Sequence, residues 1–361
     1  MRSKDQKGRA RPRQADIAKA AGVSQATVSM VLSNRTTTRI SEETRRKILE
    51  LSGDFGYSAN PAARRLAGGK NRILGVFTYE PTFPIAGLDQ YYPFLLGIEA
   101  EAEQLQQNLL LFTSASGEGR SRSIYADGVN QLGIADGSIL LGRGEKRDEV
   151  ARLAREGYPF VYIGRREIHG ADISWVTADY ESATYDVTRR LHDLGHRQLL
   201  YIGVERPEEP NLDRFAGWET ARAELSLDGS VRRPAADADL GPLIAEQVSS
   251  GVTALVIETP DDAPRVFRSV KELGLNVPGD LSIAVLGDMS LPRARKRSWS
   301  GFGMPYQEIG VAAVRLLVEL ISDPSVAPQT LKLPCHVNVG KTVAAPNTSE
   351  NAPAASPSRP L

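Results

Sequence analysis

From Ile73 onward, short apolar runs of strand length alternate with longer amphipathic stretches of helical period. The apolar runs are ILGVFTY, NLLLFTS, GSILLG, PFVYIG, RQLLYIG, TALVIE and LSIAVLG, and the amphipathic stretches include residues 94–106, 182–194, 215–225, 263–273 and 307–321. This alternation is typical of parallel sheets covered by helices. At least six such βα units within about 270 residues are more than a single sheet with one core accommodates. The sequence therefore predicts an α/β body with two lobes.

The stretch from Asp16 to Leu32, DIAKAAGVSQATVSMVL, predicts two short helices joined by a tight turn. Gly22 stands where the first helix would end, because glycine adopts the left-handed conformation without steric cost. Ser24 stands where the second would be capped, since its hydroxyl accepts from free backbone N–H groups. The apolar positions expected to point inward are Ile17, Val23, Val28, Val31 and Leu32. From these residues alone, a DNA-reading helix-turn-helix and an ordinary helical hairpin both remain open.

A third helix is predicted to follow the polar connector SNRTTTR. Ser41 is a natural N-cap, and the acidic residues after it favour the positive end of the helix dipole. The apolar side is expected to comprise Ile48, Leu49 and Leu51, with Phe55 and Tyr57 closing over it. Three helices in about 45 residues make a domain near the lower size limit for independent folding.

Residues 59–72 contain the start and stop signals of a very short helix, with Asn60 as the N-cap, Pro61 in the first turn and Gly68 near the end. A helix this short is unstable alone in water because nucleation is unfavourable. We expect a flexible linker that becomes helical only when bound.

Charge is unevenly distributed along a chain whose formal net charge is zero. Residues 1–72 contain 16 Lys and Arg against 6 Asp and Glu, and the remainder is correspondingly acidic. A basic head suits contact with phosphates, and its periodic apolar positions distinguish it from a simple charged tail. No apolar run of about 18 residues predicts a membrane span, and no apolar segment resembles a secretory signal. With Cys335 as the single cysteine, we expect no disulfide and a cytoplasmic location.

Residues 14–72 resemble the DNA-binding head of the LacI family of bacterial regulators. The matching strings are ADIAKAAGVSQATVS, ISEETRRKI and GYSANPAARRLAGG, which occur in the family's order and near its spacing. The resemblance implies that the helix from Gln25 to Leu32 reads the major groove. It also implies that residues 60–67 form a hinge helix on the operator, with Leu66 as a minor-groove wedge. An apolar side chain driven between base steps unstacks them and kinks DNA.

The resemblance assigns DNA contacts to two groups of residues. The recognition-helix group is Ser24, Gln25, Ala26, Thr27, Ser29 and Met30, and the connector and hinge group is Asn34, Arg35, Arg39, Tyr57, Asn60, Ala63, Arg64 and Leu66. On the face expected to meet the bases, only Gln25 and Ser29 carry polar side-chain groups, with Thr27 nearer the backbone. Gln25 suits adenine and Met30 suits only an apolar edge such as a thymine methyl. Much of the specificity would then come from the hinge, the half-site spacing and DNA deformability.

The body resembles the periplasmic-binding-protein-like effector domain of the same family, through YESATYDVTRRLHDLGHRQLLYIG, DRFAGWETA and VPGDLSIAVLGD. The implied fold is a small all-α helix-turn-helix head plus a two-lobed α/β body with a ligand cleft. The implied division is a basic arm (1–13), a helix-turn-helix DNA-binding domain (14–58), a hinge (59–72) and a ligand-binding and dimerisation domain (73–343). A disordered tail rich in Pro, Ala and Ser (344–361) is expected to follow. Lobe 1 would comprise about 73–170 and 300–322, and lobe 2 about 172–298 and 325–341. No leucine heptads indicate a tetramer-forming coiled coil.

The resemblance places effector contacts in the interlobe cleft, where a small molecule of the sugar class would bind. Arg214 matches the family's cleft arginine and Asp288 its cleft aspartate. Aromatic residues suit stacking on a sugar or nucleoside, although some are expected to be core. The predicted effector residues are Tyr79, Phe83, Tyr91, Arg165, Arg214, Trp218 and Asp288. Thr259 and Pro260 replace the family's usual Asn-Asp, and Gly164 precedes Arg165 where Asp is usual, so no known ligand is transferred.

Enzyme interpretations have little support in this sequence. It contains no GxSxG elbow, P-loop or HExxH motif. His192 and His196 are four residues apart, as a metal pair would be, but Gly195 is expected to end that helix first. We therefore expect no catalysis, cofactor or metal. The predicted function is that of a homodimeric, sequence-specific regulator of transcription, a repressor, that binds operator DNA under control of the effector. The alternative is a ligand-binding protein of the same fold without a DNA role.

Overall fold

The computed structural model describes residues 12–32, 40–57, 70–80, 91–113, 122–142, 146–288 and 298–347. The chain divides into two compact units, Met1–Ile73 and Leu74–Leu361, which we call the head and the body. No helix among the described residues has the length and apolar character that crossing a membrane requires.

The head contains three helices, α1 (Gln14–Ala21), α2 (Gln25–Leu32) and α3 (Glu42–Asp54). Gly22 ends α1 in the left-handed conformation, with φ of 74°. The Ser24 hydroxyl accepts from Thr27 N at 3.1 Å, and that of Ser41 accepts from Thr44 N at 3.2 Å. Glycine termination of α1 and serine capping of α2 and α3 are therefore confirmed.

One buried cluster holds the three helices together. Its fully and mostly buried members are Ile17, Ala18, Ala21, Val28, Val31 and Ile48, with Val23, Leu32, Ile40, Leu51 and Tyr57 packed around them. The prediction was wrong for two residues of the third helix, because Leu49 is 50% exposed and Phe55 43% exposed. One residue rotates a helix by about 100°, so Leu49 faces outward when Ile48 faces inward.

Lobe 1 of the body is built on a six-stranded sheet. Its strands are β1 (Ile73–Thr78), β2 (Asn108–Phe112), β5 (Gly137–Leu141), β6 (Phe160–Ile163), β7 (Trp175–Ala178) and β13 (Thr330–Leu333). They lie in the order β13-β7-β6-β5-β1-β2. The helices of this lobe are α4 (Tyr92–Gln104), α5 (Arg147–Arg155) and α10 (Tyr306–Ser322). A small hairpin, β3 (Tyr125–Ala126) with β4 (Val129–Asn130), lies in the same lobe.

Lobe 2 is built on a second six-stranded sheet. Its strands are β8 (Gln198–Ile202), β9 (Asp228–Arg232), β10 (Ala254–Ile257), β11 (Ser282–Leu286), β12 (Ser300–Gly303) and β14 (His336–Asn338). They lie in the order β14-β12-β11-β10-β8-β9. Its helices are α6 (Tyr180–Asp193), α7 (Glu209–Glu224), α8 (Gly241–Ser249) and α9 (Ala263–Glu272). Strand β14 runs antiparallel to β12. The prediction of two α/β lobes is confirmed.

The chain passes between the lobes three times, after β7, β12 and β13. The predicted lobe limits were wrong at these points. Trp175–Ala178 pairs with β6 and Thr330–Leu333 pairs with β7, so both belong to lobe 1. Ser300–Gly303 pairs with β11 and belongs to lobe 2. A strand's sheet is decided by its hydrogen-bonding partners, which local sequence does not specify.

The close approach of α7 to α6 fixes the position of α7 on lobe 2. A Cβ atom at Gly217 would lie 2.1 Å from the Glu181 carbonyl oxygen, so only glycine allows this packing. Trp218, next to it, is completely buried in the core and its ring lies 5.3 Å from that of Tyr201. These contacts hold α7 against α6 and the core of lobe 2.

The chain beyond β14 is bonded to lobe 2. Thr342 Oγ1 donates to the Ile283 carbonyl at 2.6 Å, and Ala344 N donates to Ser282 Oγ at 3.1 Å. The predicted start of a disordered tail at residue 344 was therefore wrong, because residues 344–347 lie along the lobe. Residues 348–361 lie outside the described part of the chain.

His196 joins this C-terminal segment to the lobe and is only 1% exposed. Its Nδ1 lies 2.8 Å from Thr253 Oγ1 and its Nε2 lies 2.8 Å from the Ala344 carbonyl oxygen. Gly195, with φ of 103°, separates it from α6, as predicted. Both ring nitrogens are engaged, and among the described residues no group of three metal-ligating side chains occurs.

We expect His196 to make the body less stable in mild acid. Burial lowers the pKa of its imidazole below the ordinary 6.5, as does nearby Arg197, while the bond to Ala344 opposes the shift. The unfolded chain therefore binds a proton first, so stability is complete above about pH 6.5 and declines as pH falls through the folded-state pKa. Thermal unfolding of the full chain between pH 7.5 and 5 measures this decline. His196→Gln should reduce it, whereas His169→Gln, at an exposed position, should not; equal slopes in all three proteins would contradict the assignment.

Candidate functional site: an exposed helix and an interlobe cleft

The outer face of α2 is the candidate contact surface of the head. Ser24, Gln25 and Ala26 are exposed, and Thr27, Ser29 and Met30 are partly exposed, while the opposite face is buried. Thr27 is tied to the helix start, because its hydroxyl lies 2.9 Å from that of Ser24. The side chains at the tip of α2 are short, which suits close approach to a major groove.

The other predicted DNA residues cannot be placed in the same way. Tyr57 is partly buried and packs against the head core. The remaining connector and hinge residues lie outside the described part of the chain, namely Asn34, Arg35, Arg39, Asn60, Ala63, Arg64 and Leu66. Their DNA contacts stay predictions.

Met30→Arg should change the base preferred at one symmetric operator position. Arginine favours guanine through O6 and N7, whereas methionine offers only apolar contact. Selection of bound sites from random DNA measures the preference. Leu49→Arg adds the same charge on the exposed side of α3 and should leave the selected sites unchanged. A profile unaltered by Met30→Arg would show that Met30 does not face the bases.

A cleft of about 300 Å³ lies between the lobes of the body. Most of its lining follows the carboxyl ends of strands in both sheets, where ligands bind in open α/β folds. Lobe 1 contributes mainly apolar and aromatic groups, and lobe 2 contributes most of the charged and polar ones. The principal lining residues are Tyr91, Phe94, Ile163, Arg166, Thr177, Tyr180, Arg206, Glu208, Asn211, Arg214, Glu258, Thr259, Asp261, Asp288, Met304 and Tyr306.

Three aromatic rings form the lobe 1 side of the cleft. Phe94 and Tyr306 pack edge to face, with ring centroids 4.9 Å apart. The Tyr91 hydroxyl donates to the carboxylate of Glu80, which follows β1. An apolar surface of this kind suits the C–H face of a sugar ring or another flat ligand.

Arg214 is a tightly held charged group of the lobe 2 side and is 7% exposed. Its Nε donates to the Leu286 carbonyl and its Nη1 donates to that of Pro210, both at 3.0 Å. The guanidinium carbon lies 3.9 Å from the centre of the Tyr180 ring. These contacts fix the plane of the guanidinium at the cleft, so that it presents a preorganised donor group.

Asp288 and Glu258 supply carboxylates at the ends of two neighbouring strands. Asp288 follows β11, and its Oδ2 accepts from Met304 N at 2.7 Å. Glu258 follows β10 and is fully buried. Its carboxylate accepts from the Tyr201 hydroxyl at 2.7 Å and from Asn211 Nδ2 at 3.2 Å. Burial, reinforced by Glu258, raises the pKa of Tyr201, so this tyrosine remains a donor.

The structure brings together only part of the predicted effector set. Tyr91, Arg214 and Asp288 line the cleft. Trp218 lies in the core, and Tyr79 packs on Phe77 inside lobe 1, with ring centroids 4.9 Å apart. Arg165 is turned to Asp213 and is not in the lining, so those three assignments do not match the cleft. Phe83 lies outside the described residues.

Several lining residues escaped the sequence analysis. Arg166, Tyr180, Glu258 and Tyr306 each come within a few residues of the end of a strand. Their position after a strand was the available signal, but two of the four strands concerned, β7 and β12, were not recognised from their short or polar sequences. Asn211 lies on the first turn of α7, which begins six residues before the predicted helix.

Comparison with known families matches both parts of the chain. Residues 15–60 match the family described as bacterial regulatory proteins, lacI family. Residues 74–240 match the periplasmic binding proteins and sugar binding domain of the LacI family, and residues 188–343 match a periplasmic binding protein-like domain. Together these matches span the head and both lobes.

Individual relatives align along nearly the whole chain. An HTH-type transcriptional regulator in the aml 5′ region of Streptomyces limosus is 31% identical over 87% of this chain and 90% of its own. Catabolite control protein A of Priestia megaterium is 28% identical over 89% and 96% of the two chains.

Two solved structures share the fold. The lac repressor dimer bound to operator has a TM-score of 0.65 at 21% identity, covering 92% of this chain and 99% of its own. The regulator CelR in complex with cellobiose has a TM-score of 0.60 at 20% identity, covering 92% and 100%. The chain belongs to the LacI family of bacterial transcriptional regulators.

Proposed function

We propose that this regulator is a repressor that binds a pseudo-palindromic operator as a homodimer and responds to a sugar bound in the interlobe cleft. The observation that carries the proposal is the combination of an exposed helix α2 on a basic three-helix head with a polar and aromatic cleft in the body. The match of residues 15–60 to DNA-binding regulators favours this function over ligand binding alone. A protein that works on DNA in this way acts in the cytoplasm.

The head supplies DNA affinity through charge and base contacts. Residues 1–72 carry 16 Lys and Arg against 6 Asp and Glu. Of these cations, the described residues include Arg13, Lys19, Arg45, Arg46 and Lys47. Cations at the surface of such a head bind phosphates and release counterions, which makes affinity depend steeply on salt. Two heads in a dimer would place their α2 helices in successive major grooves, one helical turn apart. We further propose that residues 59–72 form the hinge between head and body.

The cleft supports a sugar as the effector class. Its lobe 2 side offers Asn211, Arg214 and Asp288, which are donors and acceptors suited to hydroxyl groups, and its lobe 1 side offers aromatic rings. The related CelR structure holds cellobiose, and another LacI-family structure holds ribose. Differential affinity of the sugar for two interlobe orientations would shift the population able to bind the operator.

Titration of nonspecific duplex DNA across a range of salt tests the DNA role. We expect the logarithm of the binding constant to fall linearly with the logarithm of salt concentration. The absence of a steep slope would remove the proposal. Selection from random DNA then yields the operator sequence. Sedimentation measures the oligomeric state, and a thermal-shift screen of sugars on the full chain identifies the effector.

A further inference from the structure

An ion cluster joins the two lobes beside the cleft. Lobe 1 contributes Arg147, at the start of α5, and Arg165 and Arg166, which follow β6. Lobe 2 contributes Glu209 and Asp213, both from the first half of α7. We call these five residues the interlobe ion cluster.

The Arg165–Asp213 pair is bidentate. Arg165 Nη2 lies 2.8 Å from Asp213 Oδ1, and Nε donates to Oδ2 at 3.1 Å. The side chains are only 18% and 13% exposed. Arg165 also bonds the carboxylate of Glu167 in its own lobe. A fork-to-fork pair of this kind is both stronger and more directional than a single charged contact.

Glu209 is the centre of the rest of the cluster. Arg147 Nη1 lies 2.6 Å from Glu209 Oε1, and Glu167 N donates to the same oxygen at 3.2 Å. Arg166 Nη1 lies 3.5 Å from Oε2. Burial opposes ionisation of this carboxyl, but the bonds from Arg147 and backbone N–H groups outweigh it and lower the pKa to about 2. Glu209 is therefore charged at every pH at which the protein works.

Helix α7 connects this cluster to the cleft. Glu209 and Asp213 are one turn apart and face lobe 1, whereas Asn211 and Arg214 on the same two turns line the cleft. The helix is held firmly to its own lobe by the close packing at Gly217. A ligand that forms hydrogen bonds with Asn211 or Arg214 therefore acts on helix α7, the same helix to which the lobe 1 arginines are bonded.

We propose that the interlobe ion cluster sets the resting angle between the lobes, and that an effector works against it through α7. The resting angle between the lobes exists without DNA or effector, so that part of the proposal stands by itself. The action of the effector through α7 rests on the proposed function. The cluster differs from an ordinary surface ion pair in two respects. Four of its five side chains are at most 18% exposed. None of its residues belongs to the three crossover segments, near which the other described contacts between oppositely charged groups of the two lobes, Lys332–Glu181 and His336–Glu308, lie.

Loss of the carboxylates of Glu209 and Asp213 should change the distribution of orientations between the lobes. Glu209→Gln with Asp213→Asn leaves Arg147, Arg165 and Arg166 without their lobe 2 carboxylates, although Arg165 Nη2 can still donate to the backbone carbonyl of residue 209. Each charge-assisted hydrogen bond lost should change the ratio of interlobe orientations by about tenfold or more. Repulsion among the remaining arginines acts in the same direction.

Single-molecule energy transfer within the full chain measures the angle. Exposed positions Arg155, in lobe 1, and Glu272, in lobe 2, are replaced by cysteine for the two dyes. Native Cys335 reacts slowly, because burial raises the pKa of its thiol to about 12. Labelled chains are mixed with excess unlabelled chain, so that each dimer carries one dye pair.

The matched control removes two carboxylates from ion pairs within lobe 2. Glu219 pairs with Arg222 at 2.9 Å and Asp186 with Arg189 at 2.8 Å. We expect the cluster variant to shift and broaden the transfer-efficiency distribution, and Glu219→Gln with Asp186→Asn to leave it unchanged. Identical distributions in the cluster variant and the unmodified chain would overturn the proposal.

A second variant tests the proposal in case the double variant does not fold. Arg165→Gln changes only the loop after β6 and should give an intermediate shift, with the circular dichroism melt of the full chain as the folding check. If the double variant unfolds, an unchanged distribution in Arg165→Gln overturns the proposal by itself. A shift without any salt-dependent DNA binding would uphold the cluster and reject the proposed function, so the two failures are distinguishable.

Discussion

Ile48→Ala should leave most of the head unfolded and abolish operator binding. Ile48 is completely buried between the three helices. Truncating a buried isoleucine to alanine costs about 2–5 kcal/mol, through lost transfer free energy and the cavity left behind. A core of this size supplies about 3–5 kcal/mol in total. The substitution therefore removes most of the stability of the head.

Leu49→Ala is the matched control for this prediction. The neighbouring side chain is 50% exposed, so its truncation should cost well under 1 kcal/mol. Hydrogen exchange of residues 14–57 in the full chain measures head stability, and fluorescence anisotropy with the selected operator measures binding. Equal protection in the two variants would mean that α3 does not pack on α1 and α2 as described.

The contrast between these two residues shows what sequence could and could not predict in the head. Gly22, Ser24 and Ser41 act within one turn of their own backbone, so their roles as terminators and caps are visible locally. The inner face of α3 is less visible, because Ile48, Leu49 and Leu51 are all apolar. Which of them face inward depends on how α3 packs on α1 and α2, which is tertiary information.

In the body, sequence predicted the strands that are continuous apolar runs, including the edge strand β2, but not the short or polar strands. Strands β5, β10 and β11 are continuous apolar runs, because helices cover them on both sides. Strand β9, with the sequence DGSVR, is an edge strand with exposed ends and carries no such signal. The lobe limits depend on which sheet β7, β12 and β13 join, and their short or polar sequences do not specify it.

The same limit applies to the cleft. Arg214 and Asp288 could be named because they stand in motifs that resemble a known family. Arg165 and Arg166 are adjacent in sequence, and only the fold decides that the first pairs with Asp213 while the second lines the cleft. Trp218 follows Arg214 by one turn, yet it points into the core against Tyr201. Distinguishing such neighbours requires the orientation of α7 on its sheet.

Arg214→Met should abolish the effector response while leaving DNA binding intact. Methionine retains the apolar stem over Tyr180 but removes the guanidinium that the Leu286 and Pro210 carbonyls hold at the cleft. A hydrogen bond from a charged group is worth about 1.5–3 kcal/mol, so loss of one such bond to the ligand weakens binding about 10- to 150-fold. Calorimetric titration with the sugar that raises the melting temperature measures the loss.

Two further variants separate the role of Arg214 in ligand binding from its role in packing. Arg214→Lys keeps the charge but loses the planar fork, so we expect intermediate affinity. Arg222→Met removes a guanidinium from the same helix, two turns further on, where it pairs with Glu219 on the surface; it should bind the sugar normally. Unchanged affinity in Arg214→Met would show that this arginine supports the carbonyl groups of lobe 2 and does not contact the effector. Reduced affinity in both methionine variants would instead place the effect in the stability of α7.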